Sequence, residues 1–475
     1  MTTYIPHHIG GQDEESQDGR TFDNTNPWSD AAQSAVARGS SADVERAVIA
    51  ARTAFDEGPW PRMSEDERAS HLDRLADLMV ENAEELAAAE ARDMGRPYAA
   101  ALAVDVPRAA AMFRFFADHV SMATGETYPH GNDYHAYSAF RPAGVVAAIT
   151  PWNHPLMLGT WKIAAPLAWG NTVVMKPAES SPTSAYMVAS LALEAGIPPG
   201  VLNVVQGYGA EVGAALTSST AVDRITFTGS TATGRTVAQA AAANLVPTTL
   251  ELGGKGASII APDADLDHAA ELTARAVFNN TGQVCLAGTR VLAHESIKDD
   301  FTERLVAQAD KLTVGDPFDA QTDLGPLASE AQRERVTNYF DRIPGEKGTV
   351  LCGGPRDGNL FAPTVAVDLD PRGSVAQEEV FGPLATVIGY TSDEQAVALA
   401  NDTRYGLTSV LHTQSLSRVR HMIPRLRSGT VWVNCYQVRD LRAPIGGPGD
   451  SGIGREGGAF SREFFTEPQA VFVSA

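Results

Sequence analysis

The amino-acid sequence predicts an α/β fold built on parallel sheets, and three observations carry that expectation. From Val145 onward, short apolar runs alternate with helical stretches, the rhythm of parallel strands covered by helices on both faces. A second alternation of the same kind runs from about Asp265 to Val433. The chain has 475 residues, 44% hydrophobic and 20% charged, which is ordinary globular usage and long enough for two or three domains.

The elements follow in order. The first 60 residues read as an irregular arm with short strands. Ser64 opens a long helix: Ser64 and Glu67 have capping-box spacing, and Leu72, Leu75, Leu78, Met79, Ala83 and Leu86 recur at helical intervals. Gly95 and Pro97 stop it. A second apolar helix spans about Asp105 to His119. The apolar runs Val145–Thr150, Thr172–Lys176, Val201–Gln206, Arg224–Thr228 and Thr248–Leu252 read as strands, with a helix over Thr183–Glu194. The second series supplies helices over Asp265–Phe278, Ile297–Lys311 and Ser329–Arg342, and strands over Ala385–Tyr390 and Thr430–Asn434. The tail Phe464–Val473 alternates as an edge strand does, one whose partner could be another subunit.

Charge and composition exclude several function classes. Acidic residues number 58 against 37 basic ones, a net charge of −21, so nucleic acid and anionic lipid are poor partners. No apolar run is long enough to span a bilayer, and the polar, acidic N-terminus lacks a signal-peptide pattern. Three cysteines cannot build a disulfide framework, which fits a reducing cytoplasm. No metal-ligand spacing is present, so no metal is expected.

Five segments carry candidate chemistry. Cys285 follows the loop formers Thr281 and Gly282. A free cysteine is most often a core hydrophobe, but one on a loop between two domains can meet a ligand. Glu251 sits between two leucines at a strand end, before Gly253 and Gly254. Burial there would raise its pKa toward that of a general base; the plain alternative is a solvated strand end. In Thr150-Pro151-Trp152-Asn153-His154-Pro155 the prolines stiffen the backbone, and the Asn153 amide could donate to an oxyanion; an ordinary asparagine turn is the alternative. His154 reads as a pocket or packing residue rather than a base. Lys176 and Glu179 stand at the carboxyl end of a parallel strand, where a carboxylate can hold ribose hydroxyls and repel a 2′-phosphate. Gly229 and Ser230, between a strand and a helix, could cradle phosphate on backbone N–H groups, or simply cap the helix.

Taken in order, Pro-Trp-Asn, Lys-Pro-x-Glu, Phe-Thr-Gly-Ser, Glu-Leu-Gly-Gly-Lys, Gly-Gln-x-Cys and Glu-Glu-Val-Phe-Gly-Pro resemble the aldehyde dehydrogenase superfamily over essentially the whole chain. Glu251 and Cys285 stand 34 residues apart, as in that family. The resemblance implies a Rossmann-type NAD-binding domain (1–121 and 142–254), an α/β catalytic domain (255–450) and a small β oligomerisation element (122–141 and 451–475). It implies Cys285 as nucleophile, Asn153 and the Cys285 N–H as oxyanion hole, and Glu251 as the base for hydrolysis, with Lys162 and Glu456 as proton relay. For NAD it implies Lys176 and Glu179 on the adenosine ribose, Gly229 and Ser230 on the pyrophosphate, Gly209 near the adenine, and Glu379 with Phe381 at the nicotinamide ribose. Ile149, Trp152 and Leu252 complete that site. Glu251 further implies release of a free acid. A homodimer or homotetramer is implied as well.

The segments Tyr436–Pro444, Gly452–Gly458 and Val106–Ala111 are similar to the branch that oxidises hydroxymuconic and carboxymethyl-hydroxymuconic semialdehydes from catechol ring cleavage. Those substrates carry a distal carboxylate, which arginine grips bidentately. Arg108, Arg439 and Arg442 are the candidates, with His154 and Ile445 as further substrate contacts. Three departures bear on the substrate. Ile445 replaces the usual Phe, His154 replaces an apolar or aromatic residue, and Gly449 replaces Lys, which is expected to loosen its loop. Two alternatives stay open: a general aliphatic or aromatic aldehyde dehydrogenase, and a cysteine hydrolase or thioesterase that needs no nucleotide.

Overall fold

The structure, a computed structural model, describes residues 3–474. Five parallel strands form the centre of an eight-stranded sheet: β1 (Val145–Ile149), β2 (Thr172–Lys176), β3 (Leu202–Val204), β4 (Arg224–Thr228) and β5 (Thr248–Glu251). Their order across the sheet is β3-β2-β1-β4-β5. In register, Val145 pairs with Thr172 on one side, and Ile149 with Phe227 on the other. Every residue of β1 and β2 is buried, which is why these runs are continuously apolar rather than alternating. The chain winds outward through β2 and β3, then returns to the far side of β1 for β4 and β5. That reversal opens a crevice at the carboxyl ends of β1 and β4, where Thr150–Asn153 and Gly229–Ser230 lie.

The second sheet has seven strands. Ala257–Ile260 lies between Arg290–His294 and Thr408–His412, all parallel. Only Leu252–Gly256 separates Glu251, the last residue of β5, from this sheet. Among the described residues no helix is long and apolar enough to cross a membrane. A third, three-stranded sheet pairs Tyr134–Pro142 with Thr127–Tyr128 and, antiparallel, with Thr466–Ser474.

Several expectations need correction. The N-terminal arm contains a full helix, Ser41–Asp56, whose entry is tied by the Ser40 N–H donating to Asp43 at 2.7 Å. Its buried residues are mostly alanine and valine, too small to show as a strong apolar stripe. His7–Ile9 and Gln12–Glu14 extend the large sheet beyond β3. The Ser64 helix does have its capping box, a device that stabilises by about 1 kcal/mol, but it breaks at Asn82 into Glu65–Glu81 and Ala83–Met94. Segment 451–475 is not wholly an oligomerisation element: Gly452–Ile453 pairs antiparallel with β5 and closes the edge of the nucleotide-side sheet.

Candidate functional site

The helix Leu266–Phe278 ends in a loop under backbone strain. Asn280 and Thr281 both take left-handed φ, 54° and 53°, a conformation costing about 1 kcal/mol or more each for residues other than glycine. Side-chain bonds hold it. Asn280 Nδ2 donates to the Asn153 carbonyl at 2.8 Å, Thr281 Oγ1 donates to the Gly325 carbonyl at 2.9 Å, and the Ala328 N–H donates to Gln283 Oε1 at 3.0 Å. Gly282 has φ +70°, and a Cβ there would fall 2.1 Å from Gly382, so only glycine fits. Cys285 follows. The Asn153 side chain, itself buried, donates one N–H to the Gln283 carbonyl at 2.9 Å, leaving the other N–H free among the described residues.

Asn153 and Cys285 line one cavity of about 170 Å³ with Trp152, Thr228, Gly229, Ser230, Leu252, Gly253, Gln332, Arg335, Glu379 and Phe381. It occupies the β1–β4 crevice and opens on the N-terminus of the helix Thr231–Ala243, which Ser230 caps through the Thr233 N–H at 3.2 Å. Lys176 and Glu179 pair at 3.1 Å at the end of β2. Burial lowers the Lys176 pKa, opposed by Glu179, whose carboxylate stays exposed enough to accept further hydrogen bonds. Trp152 meets Phe381 edge to face at 5.4 Å. Glu379 Oε1 accepts the Gly254 N–H at 2.9 Å, and burial pushes its carboxyl up to about 7. A Cβ on Gly253 would lie 2.3 Å from Glu379. A switch-point crevice, a glycine at a helix N-terminus and a carboxylate on the adjoining strand end fit a dinucleotide. Ile149 is buried just behind this crevice, and Gly209 opens an exposed turn.

Sequence reading missed Gln332 and Arg335. They lie three residues apart on the helix Glu330–Arg342 and donate to the carbonyls of Phe381 (2.7 Å) and Glu379 (2.5 Å). They thereby hold Phe381 in its left-handed backbone, φ 61°. Their spacing was the only signal available, and it looks like any exposed helix face.

Behind Cys285 lie two buried carboxyls. Glu456 is fully provided for: Trp161 Nε1–H and the Lys162 ammonium donate at 2.6 Å each, Thr249 at 2.9 Å and Thr226 at 3.0 Å. Glu251 Oε1 is buried without a partner among the described residues. Burial, then the Glu456 charge, raises its pKa to about 8, against Lys162, Arg455 and Arg439. Gly446, another residue not anticipated, has φ +124°, and a Cβ there would sit 2.6 Å from Glu251 Oε1. Burial and the Glu379 and Glu251 charges push the Cys285 thiol up to about 12, while Arg439 opposes them.

The substrate-side candidates separate. Arg439 acts on Cys285, Glu251, His154 and Tyr436, and feels Arg108. Among the described residues it forms no salt bridge. Arg108 is exposed on the helix Val106–Ser121 and is likewise unpaired among the described residues. Arg442 is a correction: it grips Asp440 through two nitrogens, at 2.6 and 2.9 Å, on the exposed surface, because that carboxylate two residues away captures the fork locally. Ile445 exchanges backbone hydrogen bonds with Glu456 at 2.8 and 3.0 Å, so it braces the carboxyl pair. Gly449 does not loosen its loop. It takes φ +66°, and its neighbours are tied by Asp450 N–H to the Arg404 carbonyl (2.9 Å) and Ser451 Oγ to the Gly253 carbonyl (2.8 Å).

This arrangement can bring a thiol, a free amide N–H and an acid of near-neutral pKa to one carbonyl carbon. Comparison with known proteins gives the same direction. The aldehyde dehydrogenase family pattern matches residues 14–471. The chain is 42% identical over 482 residues to the 2-hydroxymuconic semialdehyde dehydrogenase of Pseudomonas sp. (strain CF600), covering 99% of each. It is 43% identical over 470 residues to the NADP/NAD-dependent aldehyde dehydrogenase PuuC of Escherichia coli (strain K12), covering 98% of this chain and 95% of that one. Indole-3-acetaldehyde dehydrogenase in complex with NAD+ superposes with a TM-score of 0.98 at 37% identity, over 100% of this chain and 97% of that chain.

Proposed function

Because the chain belongs to the aldehyde dehydrogenase family and is an NAD-dependent member of it, we propose that it converts a carboxylate-bearing semialdehyde, such as 2-hydroxymuconate semialdehyde, to the free diacid. One observation carries the substrate class: Arg439 stands beside Cys285 and Glu251 with no acid of its own among the described residues. An unpaired, half-buried guanidinium is costly unless a ligand completes it.

The residues divide the work. Glu251, in its carboxylate form, takes the proton of the Cys285 thiol, and the sulfur attacks the aldehyde carbon. The free Asn153 N–H and the Cys285 backbone N–H receive the oxyanion that forms. Lys176, Glu179, Gly229, Ser230, Glu379 and Phe381 would hold NAD, which when bound supplies the acceptor for the hydride and so permits a thioester on Cys285. The proton held by Glu251 first passes toward the Lys162–Glu456 pair. Glu251, again a carboxylate, then removes a proton from water as the water attacks the thioester, and returns it to the departing sulfur, which releases the acid and restores the thiol.

The exposed Thr466–Ser474 strand, paired on one side only, supports a homodimer or homotetramer, and three free cysteines support a cytoplasmic setting. The test is a panel of purified aldehydes, with and without a distal carboxylate, followed by NADH absorbance. Carboxylated aldehydes should show the higher kcat/KM. Equal kcat/KM across the panel would leave a general aldehyde dehydrogenase.

A further inference from the structure

Four buried polar residues, Arg96, Asp105, His154 and Asn280, form a chain behind the oxyanion amide. Arg96 clasps Asp105 through Nε at 2.8 Å and Nη2 at 3.3 Å, and reaches Asn279 Oδ1 with Nη1 at 3.2 Å. Asp105 Oδ2 lies 3.9 Å from His154 Nδ1. His154 Nε2 lies 3.5 Å from Asn280 Nδ2, the same nitrogen that donates to the Asn153 carbonyl at 2.8 Å. The side chains of Arg96, Asp105, His154 and Asn280 are at least nine-tenths buried, and His154 Nδ1 has no hydrogen-bond partner among the described residues.

We propose that His154 is a positioning residue for Asn153, acting through Asn280. The Asn280 amide has two hydrogens. One is spent on Asn153. The other faces the Gln283 carbonyl and His154 Nε2, both at 3.5 Å. An imidazole with its proton on Nδ1, facing Asp105, presents a lone pair to that second hydrogen. The charged groups that face the ring are Asp105, Arg96 and Arg439, and burial keeps it below its ordinary pKa, hence neutral. The two slack contacts are of the kind that shorten as a site closes on its reactants. The carbonyls of Asn153 and Gln283 both border the oxyanion amide, so the tilt of Asn280 sets where the free Asn153 N–H points. An apolar ring at 154 would fill the space but leave the second Asn280 hydrogen only the Gln283 carbonyl.

This rests on Asn153 as the oxyanion donor, and the experiment keeps the two ideas apart. His154→Phe, His154→Gln, Asn280→Ser, the double variant His154→Phe/Asn280→Ser, and Asn153→Ala are assayed as full-length enzymes with saturating NAD and propanal. His154→Phe should lower kcat about tenfold, with NAD affinity by protein fluorescence and Tm little changed. His154→Gln, which keeps an acceptor, should recover most of it. In the Asn280→Ser background, His154→Phe should cost less than about twofold, because its route is already cut. Independent, multiplying losses would overturn the proposal, as would a His154→Phe kcat within twofold of the parent. Should His154→Phe fail to fold, Asp105→Asn replaces it, with a loss in the parent and none beside His154→Gln; equal losses in both would overturn the proposal. Full activity in Asn153→Ala would instead sink the oxyanion reading itself.

Discussion

The two walls that meet at Cys285 are made differently. The proposed nucleotide side is mostly backbone and strand ends: Gly229 and Ser230 follow β4 directly, Gly253 stands two residues past β5, and Lys176 ends β2 with Glu179 three residues on. The proposed substrate side draws instead on long side chains from distant segments, Arg108 on one helix and Arg439 in a loop after the last strand of the second sheet. A wall built from backbone tolerates little except where a glycine is required. A wall built from side chains can be changed without disturbing the fold. Cofactor binding and substrate choice should therefore respond to separate substitutions.

The sharpest break belongs to neither wall. Cys285→Ala should lower NADH formation at least about 10⁴-fold while NAD titration by fluorescence stays normal; sustained NADH production would remove Cys285 from its role. Next comes Glu251→Gln, with steady-state turnover down about 10²- to 10³-fold and the single-turnover NADH burst slowed as well, because the thiol and the water lose the same base. The sign of its pH dependence follows from the raised pKa. A carboxyl at about 8 is mostly protonated at neutrality, so the base form grows and kcat rises as pH passes through 8. That limb should vanish in Glu251→Gln, and an unchanged profile would assign the limb to another group.

Arg439→Ala then divides the walls directly. It should cost about 30-fold in kcat/KM for a carboxylated aldehyde, the value of one charged hydrogen-bonded contact, and under about threefold for propanal. Equal losses on both would mean that the arginine serves Cys285 rather than the substrate. The smallest effect is Glu179→Ala, which should narrow the NAD-over-NADP preference about tenfold with aldehyde KM unchanged. Unaltered selectivity in a coenzyme titration would take Glu179 out of the ribose site.

The nucleotide-side wall was legible because its residues are neighbours in sequence. Thr172–Lys176, Arg224–Thr228 and Thr183–Glu194 stand where their apolar runs predicted. The substrate side was not legible in the same way. Arg442 looked equivalent to Arg439, yet a carboxylate two positions away captures it. Gly449 looked like a loosened loop, yet its left-handed backbone is part of a tied turn. Gln332, Arg335, Asn280 and Asp105 carried no distinctive mark, since their meaning depends on which carbonyl or ring stands opposite.

What the sequence by itself determined is the alternation of strand and helix, the glycine-permitted turns, and the presence of a thiol, an amide and a carboxyl in motifs at strand ends. Those follow from local sterics and from the need to bury apolar faces. Only the tertiary structure decided that, among the described residues, Glu251 Oε1 lacks a partner while Glu456 has four donors, that Arg439 forms no salt bridge there while Arg442 does, and that His154 adjoins Asn280. Burial and through-space charge set those differences, and neither depends on distance along the chain.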